Sequence, residues 1–94
     1  TATRVVLDIG KKALSSDATA PRPRDYPDAT PLRLSAEHGQ FDLAAASDQP
    51  RVGDRIACLI GYGDTTVHLH ETLVGTRNGV TEVVWPLLGR GRLQ

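Results

Sequence analysis

Thr72-Leu73-Val74-Gly75-Thr76-Arg77-Asn78-Gly79-Val80-Thr81-Glu82-Val83-Val84-Trp85 decides the fold class of this chain. Two runs rich in apolar and β-branched residues flank Asn78-Gly79. Asn-Gly accepts the positive φ angles of a two-residue hairpin turn, and the twist of that turn matches the strands it joins. The segment predicts a β-hairpin, stopped by Pro86, which has no N–H to offer a ladder. Trp85, late in its second strand, reads most simply as an anchor in a core or at an interface.

Working back toward the N-terminus, Arg55-Ile56-Ala57-Cys58-Leu59-Ile60 is apolar on both faces after its arginine and predicts a central strand, entered through Val52-Gly53-Asp54. Pro31 to Ser35 and Gln40 to Ala45 predict two short strands joined by Ala36-Glu37-His38-Gly39. Thr3 to Ile9 predicts a buried strand that Gly10 ends, and Lys11 to Ser16 a turn with Ser16 and Asp17 available as caps. Between them, residues 17–31 hold Pro21, Pro23, Pro27 and Pro31 among charged residues. They read as a long extended loop, of the kind that is functional or mobile. No segment carries a sustained helical apolar face. The expectation is a mainly β fold, a small β-barrel or Greek-key sandwich of about six short strands with a C-terminal hairpin.

The 94 residues fit one domain. The chain opens on Thr1 and holds no Met, so residues 1–94 read as a single β domain cut from a longer protein. Eleven basic and eleven acidic residues give a formal net charge of zero, which argues against nucleic acid as a partner. No apolar run approaches the ~20 residues of a membrane helix, and no signal peptide is evident; a soluble, cytoplasmic protein is expected. The lone Cys58, between apolar neighbours, reads as a buried inert thiol.

Chemistry concentrates in Gly61-Tyr62-Gly63-Asp64-Thr65-Thr66-Val67-His68-Leu69-His70-Glu71. If the segment is extended, residues 62, 64, 66, 68 and 70 face one way. If its middle is one helical turn, Asp64 and His68 stand at i and i+4. Either geometry brings a carboxylate near an imidazole, as a divalent-metal site requires. From residue types alone the plainer reading is that Tyr62, Asp64 and Thr66 bond to loop backbone and the histidines are exposed. His38 reads as a turn residue. Lys11 and Lys12 read as one solvated lysine and one bonded to carbonyls at a strand end. The lysine spacing of a phosphate loop is absent.

The order of these pieces resembles one enzyme family. Val5-Val6-Leu7-Asp8-Ile9-Gly10-Lys11-Lys12-Ala13 is similar to the strand and D-x-G-x-K-A turn that opens the C-terminal domain of the D-threonine aldolase and D-serine dehydratase-like proteins. Glu37-His38-Gly39 resembles that family's E-H-G turn, and Val52-Gly53-Asp54 its V-G-D strand entry. Tyr62-Gly63-Asp64-Thr65-Thr66 falls where the family carries P-x-H-x-C/D-x-T, and Trp85 with Arg90-Gly91 resembles its W…R-G ending.

The resemblance implies that the parent is a fold-type-III enzyme whose pyridoxal phosphate sits in an N-terminal, alanine-racemase-type barrel. This chain would be the accessory β domain that packs on that barrel and helps to form a homodimer and its active site. The substrate would be a small D-amino acid, and the reaction that of an aldolase, dehydratase or racemase. It also implies a divalent metal, manganese or zinc, held by a His and by an Asp or Cys two residues on. Asp64 matches the second ligand, but Tyr62 stands in place of the first. Three outcomes stay open: His68 or His70 replaces the lost ligand; Tyr62 acts as acid or base without a metal; or the parent does other chemistry. Thr66 would support the site, and Lys12 and Glu37 would be architectural. A reading from another class is a non-catalytic binding or dimerisation module on a small β-barrel.

Overall fold

The structure, a computed structural model, describes residues 2–88. Among the described residues, seven strands and one short helix follow in chain order: β1 (Ala2–Leu7), β2 (Arg22–Pro23), β3 (Arg33–Leu34), β4 (Gly39–Ser47), β5 (Cys58–Leu59), α1 (Gly63–Val67), β6 (Thr72–Arg77) and β7 (Val80–Pro86). They form three antiparallel sheets, ordered β1-β4-β3, β2-β5 and β6-β7. The mainly β expectation and the C-terminal hairpin both hold. None of the described helices is long and apolar enough to cross a membrane.

Alternation along the strands builds the core. On β1, Val5 and Leu7 turn toward the core while Val6 is exposed. Val5 lies opposite Phe41 of β4 and shares its face, whereas Arg4 lies opposite Asp42 on the other. Phe41 is fully buried, and with Leu14 and Leu32 it forms the centre of the packing. The Arg4 guanidinium donates to the Asp42 carboxylate at 2.9 Å, and Arg33 of β3 reaches the same carboxylate at 3.2 Å. Asp42 thus ties all three strands of that sheet together on its polar face.

The proline-rich segment is no free loop. Pro21 and Pro23 are buried, the Leu32 amide donates to the Pro21 carbonyl at 2.8 Å, and the Tyr26 ring lies 6.0 Å from that of Phe41. A proline can be buried without stranding an N–H, so this segment can cover the core where an ordinary loop would leave donors unpaired. Its Arg22–Pro23 bridge is also the partner of β5.

That pairing corrects the reading of residues 55–60. Only Cys58 and Leu59 join a ladder, and it has two strands, so the run is not a central strand. Ile56 and Cys58 pack on the core, while Leu59 and Ile60 face outward. An apolar run records that its side chains seek cover; it does not say which element supplies it.

In the hairpin, Asn78 (φ 51°) and Gly79 (φ 77°) both adopt positive φ, as a type I′ turn requires. Leu73 lies opposite Trp85 and Val74 opposite Val84, so each face of the ribbon carries an apolar pair. All four side chains are about half exposed, which places Trp85 at a surface rather than in the core. The Leu87 amide closes the base of the hairpin on the Glu71 carbonyl at 2.9 Å.

Candidate functional site

Two of the motif pieces meet. The amides of Lys11 and Lys12 donate to the carbonyls of Ser35 (2.8 Å) and Ala36 (3.1 Å), setting the turn after β1 against the Glu37-His38-Gly39 turn. The Lys12 ammonium pairs with the Glu37 carboxylate at 2.7 Å. Both side chains are well exposed, so the pair steadies the two turns and adds little stability. Lys12 therefore finds a carboxylate where the sequence suggested a carbonyl. An open depression beside His38, lined by Val6, Leu34 and Gln40 among others, takes in neither Tyr62 nor Asp64.

Residues 61–70 adopt the helical alternative. Tyr62 is the extended N-cap residue of α1 and makes no side-chain capping bond. Asp64 lies in the first turn, with its side chain exposed. Both residues present their side chains at the surface, two positions apart, on a turn whose far side is buried at Thr66.

The histidines point elsewhere. His68 stands one turn after Asp64, but its Nδ1 lies 3.0 Å from the Asp64 backbone carbonyl. His70 Nε2 lies 2.8 Å from the carbonyl of Ala13. A carbonyl only accepts, so each of these ring nitrogens carries a proton and donates it.

Beneath the turn, the Ser15 amide donates to Thr66 Oγ1 at 3.1 Å, and the Thr65 hydroxyl donates to Ser15 Oγ. Ser15 Oγ also accepts the Asp17 amide at 3.0 Å. Gly61 lies so close to Thr19 that a Cβ there would collide with the Thr19 carbonyl. The sequence marks Ser16 and Asp17 as caps and passes over Ser15. No local signal links Ser15 to a threonine 51 positions away.

The donor set does not fit the metal that the resemblance implies. Tyr62 stands where the resemblance places a histidine, and among the described residues no three of His, Cys, Asp and Glu come together. A neutral phenol is a far poorer ligand for zinc or manganese than imidazole. Neither lysine lies on the turn that bears Tyr62 and Asp64: Lys11 is exposed and Lys12 is engaged with Glu37. Cys58 is half-buried, its Sγ 3.8 Å from the Ile56 carbonyl, and burial pushes its thiol up from the ordinary value. It stays protonated at neutral pH, in keeping with an inert thiol.

Comparison with known proteins places this geometry. A family model described as "Putative serine dehydratase domain" matches residues 1–76. The chain is 34% identical over 87 residues to a 3-hydroxy-D-aspartate aldolase of Paracoccus denitrificans, covering 93% of this chain and 22% of the relative. It is 31% identical over 88 residues to a D-threonine aldolase of an Arthrobacter species, covering 94% of this chain and 23% of the relative. The crystal structure of D-threonine aldolase from Filomicrobium marinum superposes with a TM-score of 0.88 at 30% identity, over 100% of this chain and 26% of that one. The chain thus spans about a quarter of the length of these relatives. The Arg90-Gly91 piece of the resemblance lies outside the described residues. With the family model, the aldolase relatives and the fold in agreement, the chain belongs to the serine dehydratase domain family, as the small β domain that D-threonine aldolase-type proteins carry.

Proposed function

We propose that residues 1–94 form a single C-terminal accessory domain of a cytoplasmic, pyridoxal-phosphate-dependent enzyme that cleaves a D-amino acid bearing a β-hydroxyl. Threonine and 3-hydroxyaspartate, the amino acids in the two relatives' names, share a hydroxyl on the β-carbon. The observation that carries the reading is the presentation of Tyr62 and Asp64: both exposed, two positions apart, on a turn anchored from below. The rest of the site would come from an N-terminal barrel, and the domain would also contribute to a homodimer.

The chemistry at the α-carbon belongs to the other domain. What this chain supplies acts at the β-oxygen. In retro-aldol cleavage the β-hydroxyl loses its proton and its oxygen forms the aldehyde C=O as the Cα–Cβ bond breaks; the bond's electron pair passes to Cα, which then takes up a proton to give glycine. The Asp64 carboxylate is the base that takes that proton, and the Tyr62 phenol donates a hydrogen bond that orients the oxygen. Because the donor set does not fit a metal, no step is assigned to one.

The test is product analysis with the full-length protein and added pyridoxal phosphate, on D-threonine, D-3-hydroxyaspartate, D-serine and L-threonine. Glycine and aldehyde from the D-β-hydroxy substrates alone are expected. Asp64→Asn should lower kcat roughly a hundredfold and Tyr62→Phe roughly tenfold. Ammonia and pyruvate from D-serine would reassign the reaction to dehydration, and no turnover of any of the four would remove the enzyme reading.

A further inference from the structure

The two buried polar residues among the described residues, Ser15 and Thr66, are bonded to each other. They belong to a clasp between residues 13–19 and the turn that bears Tyr62 and Asp64. Gly61 packs on Thr19 at one end, Thr65 and Thr66 meet Ser15 in the middle, and His70 donates to the Ala13 carbonyl at the other end.

A five-residue helix cannot hold its own shape, since isolated helices are marginal even at about 12–15 residues. Tyr62 adds no capping bond. The geometry of the turn is therefore imposed from outside, by the clasp. A buried hydrogen-bonded pair gives little net stability over apolar groups of the same shape, but it fixes distance and direction. Reacting groups need that precision, to within about 0.5 Å.

On the reading that Tyr62 and Asp64 face substrate, we infer that Ser15, Thr66 and His70 are positioning residues for them. Ser15 and Thr66 set the height and tilt of α1 from beneath, and His70 ties down the chain where it leaves the turn. None of the three touches substrate; each acts through the backbone that carries Tyr62 and Asp64.

The experiment compares Thr66→Val, which keeps the shape and loses the hydroxyl, with Thr66→Ser, which keeps the hydroxyl. Leu32→Val serves as a control that loosens the core without removing any hydrogen bond of the clasp. All are made in the full-length protein and assayed well below their melting temperatures for kcat, KM and amide exchange at residues 62–64. Thr66→Val should lower kcat on D-threonine roughly tenfold or more with KM changed less than about threefold. Thr66→Ser should recover kcat to within about threefold, and Leu32→Val should keep it despite a lower melting temperature. Should Thr66→Val fail to fold, Ser15→Ala carries the same expectation, because it removes only the hydroxyl bonded to Thr65 and Asp17. An unchanged kcat in these variants, or an equal loss in Leu32→Val, overturns the positioning role. If the wild-type protein cleaves none of the substrates, the enzyme reading fails by itself and exchange decides. Faster exchange at 62–64 in Thr66→Val alone upholds the clasp, and equal exchange in all variants overturns it.

Discussion

The imidazole of His68 donates its Nδ1 proton to the backbone carbonyl of Asp64, 3.0 Å away, one helical turn back. The i, i+4 spacing does bring the two residues together, but through the main chain. The bond gives the carbonyl of the second residue of α1 a side-chain donor, satisfying a main-chain acceptor that so short a helix leaves open. Of the groups the resemblance assigns to a metal, only Asp64 is both matched and presented at the surface.

Metal affinity should therefore depend on position 62 and not on His68. In calorimetric titrations of this chain with zinc and manganese, Tyr62→His should tighten binding by roughly tenfold or more, because an imidazole then stands two residues before the carboxylate. Adding Asp64→Ala should abolish the gain, and His68→Ala in the wild-type background should change nothing. Tight wild-type binding that disappears with His68→Ala would instead make His68 the substitute ligand.

The hairpin should govern self-association. Leu73 and Trp85 on one face, and Val74 and Val84 on the other, are about half exposed on a two-stranded ribbon. Apolar area of this kind seeks a partner surface. Sedimentation of the isolated chain should show reversible association as concentration rises, and Val84→Lys with Trp85→Ser should suppress it. A wild-type chain that stays monomeric at millimolar concentration would count against the hairpin as a docking element.

Acid should weaken the three-stranded sheet through Asp42. The hydrogen bond from Arg4 is the largest influence and lowers this carboxyl below its ordinary value; desolvation opposes it, and the charge of Arg33 adds to it. A carboxyl with a lowered folded pKa contributes stability that is fully present above its unfolded value, about 4, and is lost as pH falls through the folded value. The urea midpoint of the wild type should exceed that of Asp42→Asn above about pH 5, and the gap should close on acidification. A gap of constant size from neutral to acid pH would show that Asp42 acts by shape and not by charge.

The legibility of this chain follows the range of the physics involved. The turn at Asn78-Gly79 is local: two successive positive φ angles are demanded, and the two residues that accept them are adjacent. The apolar run at residues 55–60 is ambiguous because burial is not local. Only Cys58 and Leu59 pair, and they pair with a proline-rich bridge that reads as loop. Pro21 and Pro23 mislead for the same reason: a residue that breaks ladders is also one that can be buried without a stranded donor.

The sequence by itself determined the mainly β class, the hairpin and the family, along with the placing of Tyr62 two residues before Asp64, where the resemblance implies a histidine. Each of these is written in residue types at short or fixed spacing. Only the tertiary structure decided that the histidines serve backbone carbonyls and that Ser15 and Thr66 meet beneath the turn. The partners of Ser15 and His70 are chosen by how residues 13–19 pack against residues 61–70, and nothing in either segment names a partner some fifty residues away.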